Sequence, residues 1–204
     1  MSGLKNSRLG QAWLILLLSL LFGGMLAAVQ VGLTPLIEAN KLAETRAQVP
    51  SLLVEKLKDG TPVINFHDVP VQRRGQTVNY TVIEAMQNDE HKGWIIKAHG
   101  PGYADKIELL FGVDSNVEKI GGIFILEQKE TPALGDKITE TVWTNQFRQK
   151  PLAQPLIVTK AKATNPNEID VITGATISAV AVTDIINAAV ADLRVPLQQL
   201  MEKK

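Results

Sequence analysis

The chain has 204 residues, 21 basic and 21 acidic side chains, and no cysteine. That length fits one domain with attachments, and balanced charge offers no basic surplus to attract nucleic acid. The missing thiols exclude disulfides, cysteine-ligated iron–sulfur clusters and cysteine zinc sites. His67, His91 and His99 are too scattered to suggest a metal cluster, so any redox role must rest on a bound cofactor.

In chain order, residues 1–9 precede an apolar segment over 10–33. No charged residue lies between Arg8 and Glu38, and Ala12 to Val29 is apolar apart from Ser19 and Gly23-Gly24. About 20 such residues span a bilayer's hydrocarbon core, so a transmembrane helix is predicted. Lys5 and Arg8 put the N-terminus in the cytoplasm by the positive-inside rule, and Trp13 is placed as an interfacial anchor. The expectation is a single-pass protein of a bacterial or archaeal cell membrane, with everything beyond Thr34 on the outer, periplasmic face. A cleaved signal peptide is the competing reading. Its apolar core would be roughly 7–15 residues ending at a small-x-small site; here the run is longer, and Leu26 stands where a small residue is wanted.

Residues 34–60 read as a helical stalk. Leu36 to Gln48 has helical character until Pro50 stops it; Ser51 then caps a short helix from Leu52 to Lys58, which Gly60 ends. Thr61 to Gly75 looks irregular, with Pro62, Pro70 and the Arg73-Arg74 pair. Strands are predicted over Val78–Ala85, Gly93–Ala98, Lys106–Phe111 and Ile120–Leu126, with a further candidate over Leu156–Lys160. Glu140–Phe147 reads as a short helix bearing Trp143. Val182, Ile185, Ile186, Ala189, Val190 and Leu193 recur at helical spacing before Pro196. The predicted fold is α+β over residues 61–195, an antiparallel sheet with packed helices, followed by a tail at 196–204.

The segment Asp170-Val-Ile-Thr173-Gly174-Ala175-Thr176-Ile-Ser178 stands directly before that last helix. It is a small-residue turn delivering a hydroxyl to a helix N-terminus, where free N–H groups and the dipole suit a phosphate. Read on those physics alone, an ordinary helix cap is the favoured explanation. A second segment, Glu127-Gln-Lys-Glu130-Thr131-Pro132-Ala133-Leu134-Gly135-Asp136, follows the predicted Ile120–Leu126 strand.

Together these segments resemble the FMN-binding domain family. Asp170-x-x-Thr173-Gly174-Ala175-Thr176 is similar to its flavinylation motif, and Glu130 to Gly135 to its Glu-Thr-Pro-Gly-Leu-Gly loop. Gly100-Pro-Gly102-Tyr103, Gly112-Val-Asp114 and Gly121-Gly122 stand where the family has glycine-rich turns. Ala133 departs from the pattern by replacing a glycine, and its methyl group would oppose a positive φ. The resemblance implies FMN joined through its phosphate to the Thr176 hydroxyl by a flavin transferase that takes it from FAD. Thr173, Gly174 and Ala175 would support that attachment. Glu130, Thr131, Leu134 and Gly135 would line the flavin, with Leu134 packed on the ring in a shallow site. Tyr103 and Trp143 are candidates either to flank the ring or to sit in the core; Lys160 and Lys162 are candidates to neutralise the phosphodiester, with solvated strand-edge lysines the favoured reading.

Within the family, a single N-terminal span and about 200 residues resemble the G subunits of Rnf ion-translocating electron-transport complexes, which pass electrons between ferredoxin and NAD⁺. The resemblance implies an electron relay working with other membrane and redox subunits, with no catalytic residue of its own. The alternatives are the C subunits of Na⁺-translocating NADH:quinone oxidoreductases, a membrane-anchored regulatory sensor built on the same domain, and a scaffold without flavin.

Overall fold

The structure is a computed structural model that describes residues 8–55, 57, 62–73 and 75–202. The chain divides into two compact units, residues 1–44 and 45–204. Most of the predicted cytoplasmic segment 1–9, Arg74, and the stalk's Lys58 and Gly60 lie outside the described residues.

In the first unit, helix α1 starts at Arg8. From Ala12 to Asn40 its side chains are exposed around the whole circumference, Leu16, Leu20 and Phe22 among them. A helix apolar all round is built for an apolar surrounding, and from Ala12 onward this one is long and apolar enough to cross a membrane. The sequence pattern breaks the chain at Pro35 and Pro50, but α1 continues through both to Leu52. Each proline removes one intrahelical N–H without ending the helix. Beside Pro35, the Thr34 hydroxyl donates to the Gln30 carbonyl at 2.7 Å; Pro50 falls in the last turn, where little remains to disrupt. Among the described residues of the predicted separate helix Leu52–Lys58, Leu53, Val54, Glu55 and Leu57 are not helical.

The second unit is built on a five-stranded antiparallel sheet in the order β1-β2-β3-β4-β5. The strands are β1 (Val63–Arg73), β2 (Gln76–Gln87), β3 (Glu90–Pro101), β4 (Lys106–Val113) and β5 (Ile120–Glu127). The last four match the predicted strands, each extended by a few residues. β1 occupies the stretch whose sequence looks irregular. It is an edge strand, so Pro70, opposite Asn79, forfeits no ladder bond to a second neighbour. Asn88 and Asp89 both have positive φ, 53° and 63°, and make the tight hairpin between β2 and β3.

Both faces of this sheet are covered. Trp94, Ile96, Leu109 and Phe111 face the larger core, with Ala179, Val182, Ile186, Ala189 and Leu193 of the last helix, α3 (Thr176–Glu202). Ile83, Ala85, Ile95 and Leu110 face the other way and pack with Val49, Leu52 and Leu53. Each fully buried aliphatic side chain contributes about 1.5–3 kcal/mol. α3 does not stop at Pro196, because Leu193 and Leu197 are both buried and hold the turns on either side of it to the core. It too is long and apolar enough to cross a membrane, but half of that stretch is buried, as in a core helix.

Between β5 and α3 lie a 3-10 turn (Gly135–Thr139), α2 (Thr141–Thr144), a second 3-10 turn (Asn145–Phe147), β6 (Ile157–Thr159) and β7 (Glu168–Asp170). β6 and β7 form a small parallel pair. Glu168 receives the Thr164 and Asn165 backbone N–H groups, which hold its carboxyl down at about 2.

Candidate functional site

The chain enters α3 through a tight turn. Ala175 N–H donates to the Ile172 carbonyl at 2.9 Å, and Gly174 has φ of 82° at the third position, a type II turn that demands glycine there. Ala175 then accepts the first helical bond, from Ala179 N at 3.0 Å. The N–H groups of Thr176, Ile177 and Ser178 are thereby left without intrahelical acceptors. Thr176 is exposed at this terminus.

The loop after β5 lies against that turn. The Thr131 carbonyl accepts N–H groups from Leu134 at 3.2 Å, Gly135 at 2.9 Å and Asp136 at 3.3 Å, which curls the segment tightly. Leu134 sits so close that a Cβ on Gly174 would stand 3.0 Å from its Cδ2. Ala133 adopts φ of 62°, so the methyl group that replaces the family's glycine is accommodated in a left-handed conformation. Such a conformation costs an L-residue about 1–2 kcal/mol. Ala133→Gly relieves this and gives back part through glycine's freer unfolded chain. We expect a net stabilisation of up to about 1 kcal/mol, read as a higher melting temperature; a lower one would show that the methyl group is packed.

These two segments enclose a cavity of about 490 Å³ lined by Tyr103, Thr131, Leu134, Gly135, Gly174, Ala175, Thr176, Ile177 and Ser178. Seven of the sequence-derived candidates thus meet there: Tyr103, Thr131, Leu134, Gly135, Gly174, Ala175 and Thr176. Glu130 and Thr173 do not line it. Glu130 is turned inward and 4 % exposed. Thr173 is exposed. Tyr103, 64 % exposed, forms the rim. Trp143 is core instead: it meets Phe147 edge-on at 5.0 Å, and its indole N–H donates to the Asp170 carbonyl at 3.0 Å, fixing the strand that leads into the turn. Lys160 and Lys162 are exposed and outside the lining. Ile177 and Ser178 carry no signal in the sequence as lining residues; their place against the loop comes from tertiary packing.

A second cavity of about 370 Å³ shares Ile177 as a wall. His99, Gly100, Arg73 and Tyr80 contribute to it. Burial and the neighbouring Asp192 carboxylate, which accepts from the Tyr80 hydroxyl at 2.7 Å, push the phenol well above its ordinary range.

A 490 Å³ cavity is of cofactor size, and its apolar walls with a few polar groups suit a flat aromatic ring. The hydroxyl and free N–H groups at one end suit a phosphate. FMN therefore fits the residues present. Residues 102–191 match the FMN-binding domain family. The chain is 30% identical to the G subunit of the Na⁺-translocating ferredoxin:NAD⁺ oxidoreductase complex of Acetobacterium woodii, over 80% of this chain and 83% of that protein. The chain belongs to this G-subunit family. It is also 36% identical to the G subunit of the ion-translocating oxidoreductase complex of Methanosarcina acetivorans, over 65% of this chain and 60% of that one. The C subunit of the Na⁺-translocating NADH-quinone reductase from Parabacteroides distasonis has the same fold, with a TM-score of 0.56 at 21% identity, covering 74% of this chain and 88% of that one.

Proposed function

We propose that this member of the G-subunit family carries FMN covalently on Thr176 and relays electrons within a membrane-bound, ion-translocating oxidoreductase complex. The observation that supports the reading is that Thr176 is exposed at the α3 N-terminus and lines the cavity walled by the Thr131–Gly135 loop. FMN, when bound, supplies the electron-carrying chemistry. The protein's share is to hold it. Thr176 Oγ1 accepts the phosphoryl group, and the free N–H groups of the first helical turn stabilise its charge. Leu134, Ile177 and Tyr103 offer apolar surface to the ring. A covalent tether prevents loss of the cofactor outside the cytoplasm and lets the surrounding walls remain open. Attachment comes from a flavin transferase that uses FAD; the electron-exchange partners are the other redox and membrane subunits.

In this reading α1 anchors the protein in a single pass, its N-terminus is cytoplasmic, and residues beyond 34 lie on the outer face. Kinship with the quinone-reductase C subunits is less favoured as a guide to function, since that likeness is one of fold. The Acetobacterium G subunit, by contrast, matches over most of its length.

The test is co-expression with a flavin transferase and tandem mass spectrometry of the tryptic digest. The adduct is expected on the peptide between Lys162 and Arg194, at Thr176. An unmodified peptide from a strain that flavinylates a known acceptor would refute the reading.

A further inference from the structure

We infer that Glu130 is a positioning residue: its buried carboxylate fixes the first turn of α3 through Ser178, and so sets where Thr176 holds its hydroxyl. The inference rests on attachment at Thr176 as proposed above, but it concerns a group that does not touch the cavity.

Glu130 is 4 % exposed, yet every contact its carboxylate makes is with a segment that walls the site. Its Oε1 accepts the backbone N–H groups of Tyr103 at 3.0 Å and Ala104 at 3.1 Å. Its Oε2 accepts the buried Ser178 hydroxyl. Its own N–H is held by Gln128 Oε1 at 2.6 Å. One carboxylate thus ties together the turn that carries Tyr103, the loop that carries Leu134, and the helix start two residues past Thr176. Among the described residues no cationic side chain pairs with it, so its hydrogen bonds are its whole compensation.

The neighbouring glycines show that room is kept for this group. A Cβ on Gly102 would lie 2.4 Å from Glu130 Oε1, and one on Gly135 would lie 2.8 Å from Glu130 Cβ and 3.0 Å from Ser178 Oγ. The turn through Gly174 holds the chain upstream of Thr176, with φ of 82° and the Ala175 N–H on the Ile172 carbonyl at 2.9 Å. Downstream, Ser178 supplies the side-chain anchor, and Glu130 holds Ser178.

Orientation matters for the attachment step. Thr176 Oγ1 forms a bond to the flavin-side phosphorus of FAD, the pyrophosphate P–O bond breaks, AMP leaves, and the hydroxyl proton passes to the transferase or water. A nucleophile displaced by about 1 Å can cost up to roughly 100-fold in rate.

The experiment measures initial rates of adduct formation by intact mass, on the full-length protein in detergent, over a range of acceptor concentrations with FAD and a flavin transferase. Glu130→Gln keeps an oxygen for the Tyr103 and Ala104 N–H groups but turns an NH₂ towards Ser178. Ser178→Ala removes only the hydroxyl. Each is expected to lower kcat roughly tenfold, with helical circular dichroism at the wild-type level, and the double variant should fall no further than either single one. Rates that multiply in the double variant, or a wild-type rate in Ser178→Ala, would overturn the inference. Should Glu130→Gln fail to fold, Ser178→Ala decides alone. A full adduct on Thr176→Val would instead sink the attachment reading, so the two failures are distinguishable.

Discussion

Thr176→Val is expected to reduce covalent flavin to background, while Thr176→Ser and Thr173→Val keep it. Valine matches threonine in shape but lacks the hydroxyl, so a loss cannot be ascribed to lost volume or to a disturbed helix start. Serine keeps the hydroxyl and drops the methyl group, which tests whether the oxygen alone matters. Thr173 is three residues away in sequence and carries the same chemistry, but it does not line the cavity, whereas Thr176 does. In-gel ultraviolet fluorescence after denaturation reads all three variants. Fluorescence surviving in Thr176→Val would move the attachment elsewhere, and its loss in Thr173→Val with Thr176 intact would make Thr173 more than a turn residue.

Gly112→Ala and Gly121→Ala should each be severely destabilising, and Gly122→Ala nearly neutral. A Cβ on Gly112 would stand 1.9 Å from the Leu52 carbonyl oxygen, and one on Gly121 would stand 2.0 Å from the same atom. Backbone, unlike the end of a flexible side chain, cannot step aside. Overpacking of this kind costs about 1–3 kcal/mol and sometimes more. At the upper end, for a domain of this size, the melting temperature drops by roughly 6–12 °C. At Gly122 the nearest atom is Leu52 Cδ2 at 3.5 Å, an ordinary contact, so the third variant is a control with the same chemical change. Thermal melts followed by tryptophan fluorescence in detergent give the comparison, and equal losses at all three glycines would contradict the packing described here.

Much of the fold was legible because it depends on local pattern. Four strands of the sheet carried β-branched runs between turn residues, and α3 showed its apolar stripe from Val182 to Leu193. Where reading failed, tertiary structure had overridden a local signal. Pro70 argues against a strand only if both sides of the strand must pair, and β1 has one neighbour. Pro50 and Pro196 argue against a helix only if nothing holds the turns beyond them; buried Leu52 and Leu197 do so. β7 is three residues long, too short for any period to register. Within the site, the lining by Leu134, Gly174 and Thr176 followed from motifs. The inward turn of Glu130 did not, because a carboxylate near a cofactor loop reads as a ligand contact until its partners on two other segments are seen.

The end of α1 has a practical consequence for anyone wishing to work with the protein in water. Thr45, Val49 and Leu52, in the last turns of α1, and Leu53 just beyond it are buried side chains of the folded domain. A shortened chain that begins at or before Thr45 retains them. One that begins at residue 54 uncovers Ile83, Ala85, Ile95 and Leu110 along one whole sheet face, and a bare apolar surface of that kind promotes self-association. The boundary between what solvent tolerates and what the domain requires therefore falls inside a helix, and trimming to the first strand is expected to give a self-associating chain in place of a soluble domain.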